Sequence, residues 1–189
     1  SFNPDLLSFF EKGDVRLIIE NKIKNSKKFD IIWLGNVLEH VIDPILLLKR
    51  LKLLLNSKGT IVITVPNDGS SFQELLLNKK YINTDFWFAP PDHLSYFSYD
   101  SLINTVRHVG YDYLDIIADF PIDLFLLHSG SNYVNNPKLG KGAHNARVEM
   151  ENFISKNPIE IVNSFYSNLA KLGLGRTLTI FITPTNESK

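Results

Sequence analysis

Phe29-Asp30-Ile31-Ile32-Trp33-Leu34-Gly35 is the stretch on which the fold turns. The run is mostly apolar, too short for a helix, preceded by the Lys27-Lys28 pair and closed by a glycine. That pattern predicts a strand buried on both faces, and so a central parallel strand. Downstream, Asp43-Pro44 supplies a capping residue and an N1 proline for a helix expected to run through Leu55. Leu47, Leu48, Leu51, Leu54 and Leu55 share one face of it, with Lys49, Arg50 and Lys52 left to water. Lys58-Gly59 closes the connection, residues 60–65 form a β-branched strand, and Pro66-Asn67-Asp68-Gly69 breaks it. Strand, crossover helix and strand together predict a parallel sheet whose ligand-binding loops lie at the strand C-termini.

Working outward, Asn3-Pro4-Asp5 opens a short helix that stops at Gly13, and residues 16–20 read as a strand. Ser98 caps a helix over residues 99–109 that ends at Gly110, and a strand over 113–120 follows. Residues 132–145 are polar and glycine-containing, as in an exposed loop or lid. Helical sequence resumes at 146–155 and again after Asn157-Pro158, where Val162, Phe165, Tyr166, Leu169 and Leu172 recur at helical spacing. A final strand covers 177–183. The glycines between Lys171 and Arg176 mark a turn into that strand, because the Lys-Ser/Thr ending of a phosphate loop is missing.

Composition narrows the function classes. Twenty basic residues balance twenty acidic ones, so charge gives no reason to expect a nucleic-acid backbone or an anionic membrane as partner. There is no cysteine, which excludes disulfides, thiolate metal sites and a cysteine nucleophile. No apolar run is long enough to span a bilayer. A cytoplasmic protein acting on a small molecule is the expectation.

Phe29-Asp30-Ile31-Ile32, then Asn36-Val37-Leu38-Glu39-His40-Val41-Ile42-Asp43-Pro44, Lys58-Gly59 and Thr64-Val65-Pro66-Asn67 resemble the middle of class I S-adenosylmethionine-dependent methyltransferases. Pro91-Asp92-His93-Leu94-Ser95-Tyr96-Phe97-Ser98 and Gly110-Tyr111 resemble the acceptor side of the ubiquinone-biosynthesis-like and sugar-methylating branches. The resemblance implies an α/β Rossmann-like sheet of order 3-2-1-4-5-7-6 with its last strand antiparallel. Strands three to seven fall in this chain, with a helical insertion before the last. It also implies that the glycine-rich cofactor loop, and the acidic residue that holds the cofactor ribose, precede Ser1. Residues 1–189 are thus expected to be a single partial methyltransferase domain of a longer protein, with 121–172 a helical and loop insertion or lid.

The resemblance carries expectations for sites. Leu34, Gly35 and Asn36, after the family's fourth strand, face the methionine part of S-adenosylmethionine, and Glu20 and Asn21 lie near its adenine. For Gly35 a plain turn glycine is the alternative, and for Glu20 and Asn21 an ordinary exposed loop. His40 is either a contact to the cofactor or the acceptor, or a packed structural group. No metal is expected, since Glu39, His40 and His93 show no recognisable ligand spacing. Two roles are open to His93: general base for the acceptor, or a pin for its loop through a backbone hydrogen bond. Asn67, Trp87, Tyr96 and Tyr133 are candidate acceptor contacts, Trp87 and Tyr96 as aromatic pocket walls. The reaction implied is methyl transfer, at oxygen in the first instance, to a small-molecule or carbohydrate-precursor acceptor. A non-catalytic methyltransferase-like binding subunit and a nicotinamide-dependent Rossmann enzyme are the alternatives.

Overall fold

The computed structural model describes residues 9–185. Four strands, β1 (Phe29–Gly35), β2 (Leu55–Pro66), β3 (Tyr111–Ala118) and β4 (Thr177–Pro184), form one sheet in the order β1-β2-β4-β3. Around it lie α1 (Val15–Lys24), α2 (Pro44–Lys52), α3 (Ser71–Asn78), α4 (Tyr99–His108), α5 (Gly140–Ile154) and α6 (Ile159–Lys171). The first two strands are parallel and joined by α2, whereas β4 runs antiparallel to both neighbours. This is the 4-5-7-6 portion of the expected Rossmann-like order, with the reversed last strand inserted between its two predecessors.

Local chemistry explains the elements. The Asp43 carboxylate accepts from Leu46 N at 2.8 Å and Pro44 occupies the first turn, so α2 begins where the sequence indicates. It ends earlier than expected, at Lys52, because Leu55 already pairs with Phe29 as the first residue of β2. Pairing then jumps from Phe29↔Leu55 to Ile31↔Thr60, which leaves a bulge. A Cβ at Gly59 would lie 3.0 Å from the Phe29 carbonyl and 3.1 Å from that of Asn56, so this glycine permits a bulge inside a strand. Ser98 and Ser101 form a reciprocal cap on α4.

Two expectations about β1 and its approach are corrected. Residues 16–20, read as a strand, lie within helix α1, and with that the placement of Glu20 and Asn21 after a third strand falls. The apolar run Leu17-Ile18-Ile19 is too short for periodicity to separate helix from strand, and the Asp14 cap decides it by accepting from Arg16 N at 2.8 Å. Side-chain hydrogen bonding from Arg16 holds the Asp14 carboxyl at about 2. β1 itself is an edge strand of this sheet, and only one of its faces is buried: Leu34 is covered while Ile31 and Trp33 are 68% and 73% exposed. The helix expected from Asn3 falls mainly outside the described residues.

The core lies between the sheet and helices α2 and α4. Alternate residues Ile61, Ile63 and Val65 of β2, with Ile180 and Ile182 of β4 and Ile116 of β3, face Leu47, Leu48, Leu51, Leu102 and Val106. Tyr111 is fully buried and its hydroxyl donates to the Leu48 carbonyl at 2.9 Å, which ties β3 to α2. Helix α6 lies along β3, where the Ser167 hydroxyl donates to Asp115 at 2.8 Å. The Asp115 side chain alternates with that of Ile116, so α6 covers the opposite face.

The turn from α6 into β4 fixes the end of β2. Asn67 N donates to the Arg176 carbonyl at 2.8 Å, and the Asn67 side-chain amide donates to the Gly175 carbonyl at 3.0 Å. Gly175 has φ +89°, and a Cβ there would sit 2.8 Å from the Asp119 carbonyl and from Ala118 Cβ. Gly175→Ala is therefore expected to destabilise the fold by about 3 kcal/mol, the sum expected of a strained backbone and an overpacked contact. A chemical-denaturation midpoint unchanged within error would refute this account of the turn.

Candidate active site

The C-terminal end of β1 runs through Leu34, Gly35 and Asn36 into a short 3-10 turn, Leu38–His40. Asn36 adopts φ +53° while its N–H still pairs with the Thr64 carbonyl at 2.9 Å. A Cβ on Gly35 would meet only the Trp33 ring, at 3.7 Å, so the fold itself does not require a glycine here. The surface at that point is open to close approach by a ligand.

The loop carrying His93 lies directly on this turn. Leu94 N and Ser95 N both donate to the Glu39 carbonyl, at 2.8 and 3.1 Å, and His93 N donates to the Ala89 carbonyl at 3.0 Å. His40 Nδ1 is 2.6 Å from the Asp92 carbonyl, and the His40 and His93 rings meet edge-on with centroids 5.0 Å apart. Two segments more than fifty residues apart in sequence thus meet at one place. The loop is fastened by these backbone bonds and by His40, none of which uses the His93 ring.

That side chain faces Asp68, with Nδ1 3.4 Å from Oδ2, and both are largely buried. Burial raises the Asp68 carboxyl above the usual carboxylate range, attraction to His93 opposes the rise, and Glu39 adds to it. Asp68 N donates to the Phe97 carbonyl at 3.0 Å, which joins the end of β2 to the same loop. Tyr96 stacks on Phe88 and meets the edge of His93 at 5.9 Å, and its hydroxyl is buried without a hydrogen-bond partner. An unpaired buried hydroxyl beside an imidazole is the kind of group a polar ligand satisfies.

A cavity of about 400 Å³ opens between α1 and the segment that follows the 3-10 turn. Asp14, Val15, Ile19 and Glu20 line one side, and His40, Val41, Ile42 and Asp43 the other. Of the residues expected at the cofactor, Glu20 and His40 come together here, with Glu20 also paired to Arg50 at 3.1 Å. Asn21 is not part of this wall and bonds to Asn25 on an exposed surface. Asp14 is a cavity residue that sequence reasoning did not single out; the Gly13-Asp14 step into a helix was the available signal.

The expected acceptor residues divide into two groups. Tyr96 lies beside His93, as described. Trp87 and Tyr133 instead pack on a second small cluster of Leu76, Ile82 and Leu126. There the Tyr133 hydroxyl donates to Asp123 at 3.0 Å, and the Arg176 guanidinium lies over the Phe86 and Tyr133 rings while pairing with Asp123. Asn67 is 1% exposed and its amide holds the α6–β4 turn, a structural task the sequence does not reveal.

Sheet order and the reversed last strand, with helices packed around them, are those of the Rossmann-like methyltransferase class. A methyltransferase-domain family profile matches residues 9–116, and the chain belongs to that family, among the class I S-adenosylmethionine-dependent methyltransferases. It is 31% identical over 119 residues to a tRNA U34 carboxymethyltransferase of Aliarcobacter butzleri (strain RM4018), a match covering 60% of this chain and 37% of that protein. The chain thus spans little more than a third of the curated relative it matches. A SAM-dependent methyltransferase from Archaeoglobus fulgidus superimposes with TM-score 0.47 at 18% identity, over 95% of this chain and 72% of that one. An O-methyltransferase of a Brevibacillus brevis polyketide multienzyme, in complex with S-adenosyl-L-homocysteine, gives TM-score 0.42 at 14% identity, over 84% and 45%. No helix among the described residues is long and apolar enough to cross a membrane.

Proposed function

We propose that the protein containing this chain transfers a methyl group from S-adenosylmethionine to an oxygen of a small-molecule or carbohydrate-precursor acceptor. The observation that carries the reading is the double engagement of His40. It lines the cavity between α1 and the 3-10 turn, and it also holds the His93 loop through Asp92. Donor and acceptor sides would then share one wall. In this reading the donor lies along Gly35 and Asn36 with its nucleoside end toward the cavity, and the acceptor enters under Tyr96 and Phe88.

The sulfonium is already an activated leaving group, so the rate gain comes mainly from holding acceptor oxygen, methyl carbon and sulfur in line in a dry site. Aromatic faces beside the cation favour it as well. His93, oriented by Asp68, accepts the proton that the acceptor hydroxyl loses as the carbon–oxygen bond forms. Residues 121–172 complete the acceptor side as a wall or lid, with Trp87 and Tyr133 acting through it rather than by direct contact.

Calorimetric titration of the full-length protein separates the alternatives. S-adenosylmethionine and S-adenosylhomocysteine are expected to bind with one site per chain, and NAD is expected not to. Binding of NAD alone would sink the proposal, and failure to bind any of the three would favour a non-catalytic subunit. One observation favours a second acceptor class: the curated relative is named for tRNA. The balanced charge of this chain argues the other way, because phosphate contacts need clustered Lys and Arg. Methyl incorporation into bulk tRNA, compared with a pool of small hydroxylated metabolites, decides between them.

A further inference from the structure

We infer that Glu39, His40 and His93 form a binding site for one divalent transition-metal ion, with Asp68 orienting His93 from behind. Sequence spacing gave no hint of it, since the third member arrives from a separate loop. In the folded chain each of the three offers one ligand atom, and these atoms all lie within 4.8 Å of one another.

Hydrogen-bond polarity carries the inference. The Asp92 carbonyl can only accept, so the 2.6 Å contact assigns a proton to His40 Nδ1 and leaves Nε2 with a lone pair. That lone pair faces Glu39 Oε1 at 3.6 Å, too far for a hydrogen bond. Two ligands on one ion, each about 2.1 Å from it at a tetrahedral angle, stand about 3.4 Å apart. The observed separation thus suits a shared cation better than direct contact. A histidine that donates its second N–H to a backbone carbonyl is also the usual outer support of a metal ligand. His93 has a looser counterpart: its Nδ1 lies 3.4 Å from the Asp68 carboxylate, an ion-pair contact without hydrogen-bond geometry.

Glu39 supplies an independent observation. Its side chain is 1% exposed and neither carboxylate oxygen has a hydrogen-bond partner. A buried carboxylate left without a counter-charge is among the least favourable arrangements in a protein interior, and a cation between it and the two imidazoles removes the difficulty. Two imidazoles, one carboxylate and no thiolate suit an ion of the manganese-to-zinc series. The ion would sit against the acceptor loop, where it can polarise an acceptor oxygen and ease loss of its proton to water; with the ion bound His93 is its ligand, and the proton-accepting role proposed above belongs to the metal-free site.

The test is titration of the chelator-treated full-length protein with Zn²⁺, and with Co²⁺ to read visible d–d absorption, both without methyl donor. One equivalent is expected per chain. Glu39→Gln and His40→Gln are each expected to weaken uptake about 100-fold, the upper end of what even second-shell changes do. The exposed His144→Gln should leave uptake unchanged. His40 is 44% exposed, so its variant carries the result even if the Glu39 variant does not fold, as circular dichroism will show. Absence of stoichiometric uptake by the native protein, or uptake undiminished in His40→Gln, would overturn the inference. Since no donor is present, a negative S-adenosylmethionine titration leaves this outcome independent.

Discussion

His93→Gln is expected to lower the rate of methyl transfer about 10²- to 10⁴-fold, the range for loss of a positioned proton acceptor. S-adenosylhomocysteine affinity should stay within a factor of a few, because the expected donor contacts lie on the other side of His40. The structure separates this effect from a loss of folding. The loop is held by Leu94 N and Ser95 N on the Glu39 carbonyl and by His40 on Asp92, none of which involves the His93 ring. Glutamine keeps a polar group near Asp68, so the thermal midpoint should move little. Retained activity with a lowered midpoint would instead make His93 a structural pin. Activity lost in His93→Gln and also abolished by chelation of the native protein would point to the metal-ligand role.

The second large effect concerns stability. Leu48→Ala should destabilise the fold by about 3 to 5 kcal/mol, since it removes a fully buried side chain from the core. Against a typical total of about 5 to 15 kcal/mol, that loss leaves a marginal domain. The Tyr111 hydroxyl donates to the backbone carbonyl of Leu48, which alanine keeps, so the measured loss is that of side-chain packing. Burial raises the Tyr111 hydroxyl pKa far above its ordinary value. A phenol whose folded pKa is raised stabilises the fold fully below the unfolded value of about 10, and that stabilisation is lost as pH rises beyond it. Tyr111→Phe should therefore flatten the alkaline fall in stability measured by denaturation at successive pH values. An unchanged alkaline limb would show that another group controls it.

Much of the sheet could be read from residue types alone. β2, β4 and α4 carry local signals that agree with their final state: β-branched alternation, glycine stops and hydroxyl caps. These signals act within a few residues, so no tertiary contact is needed to read them. The segment at 16–20 failed for the opposite reason, because three apolar residues fit either period and one capping carboxylate broke the tie. Gly59 misled in a subtler way. A glycine that ends a loop and a glycine that admits a bulge are identical in sequence, and only the approach of the Phe29 and Asn56 carbonyls distinguishes them.

By itself, then, the sequence determined the parallel β1–α2–β2 unit, the reversed final strand that the family resemblance implied, a balanced net charge and the absence of thiol chemistry. These follow from short-range preferences and composition. Tertiary structure alone decided that His93 lies against His40 and Glu39, that Glu39 is buried without a hydrogen-bond partner, and that the Asn67 amide holds the α6–β4 turn. Such meetings depend on how a loop closes over a sheet end fifty residues away, which no local preference encodes.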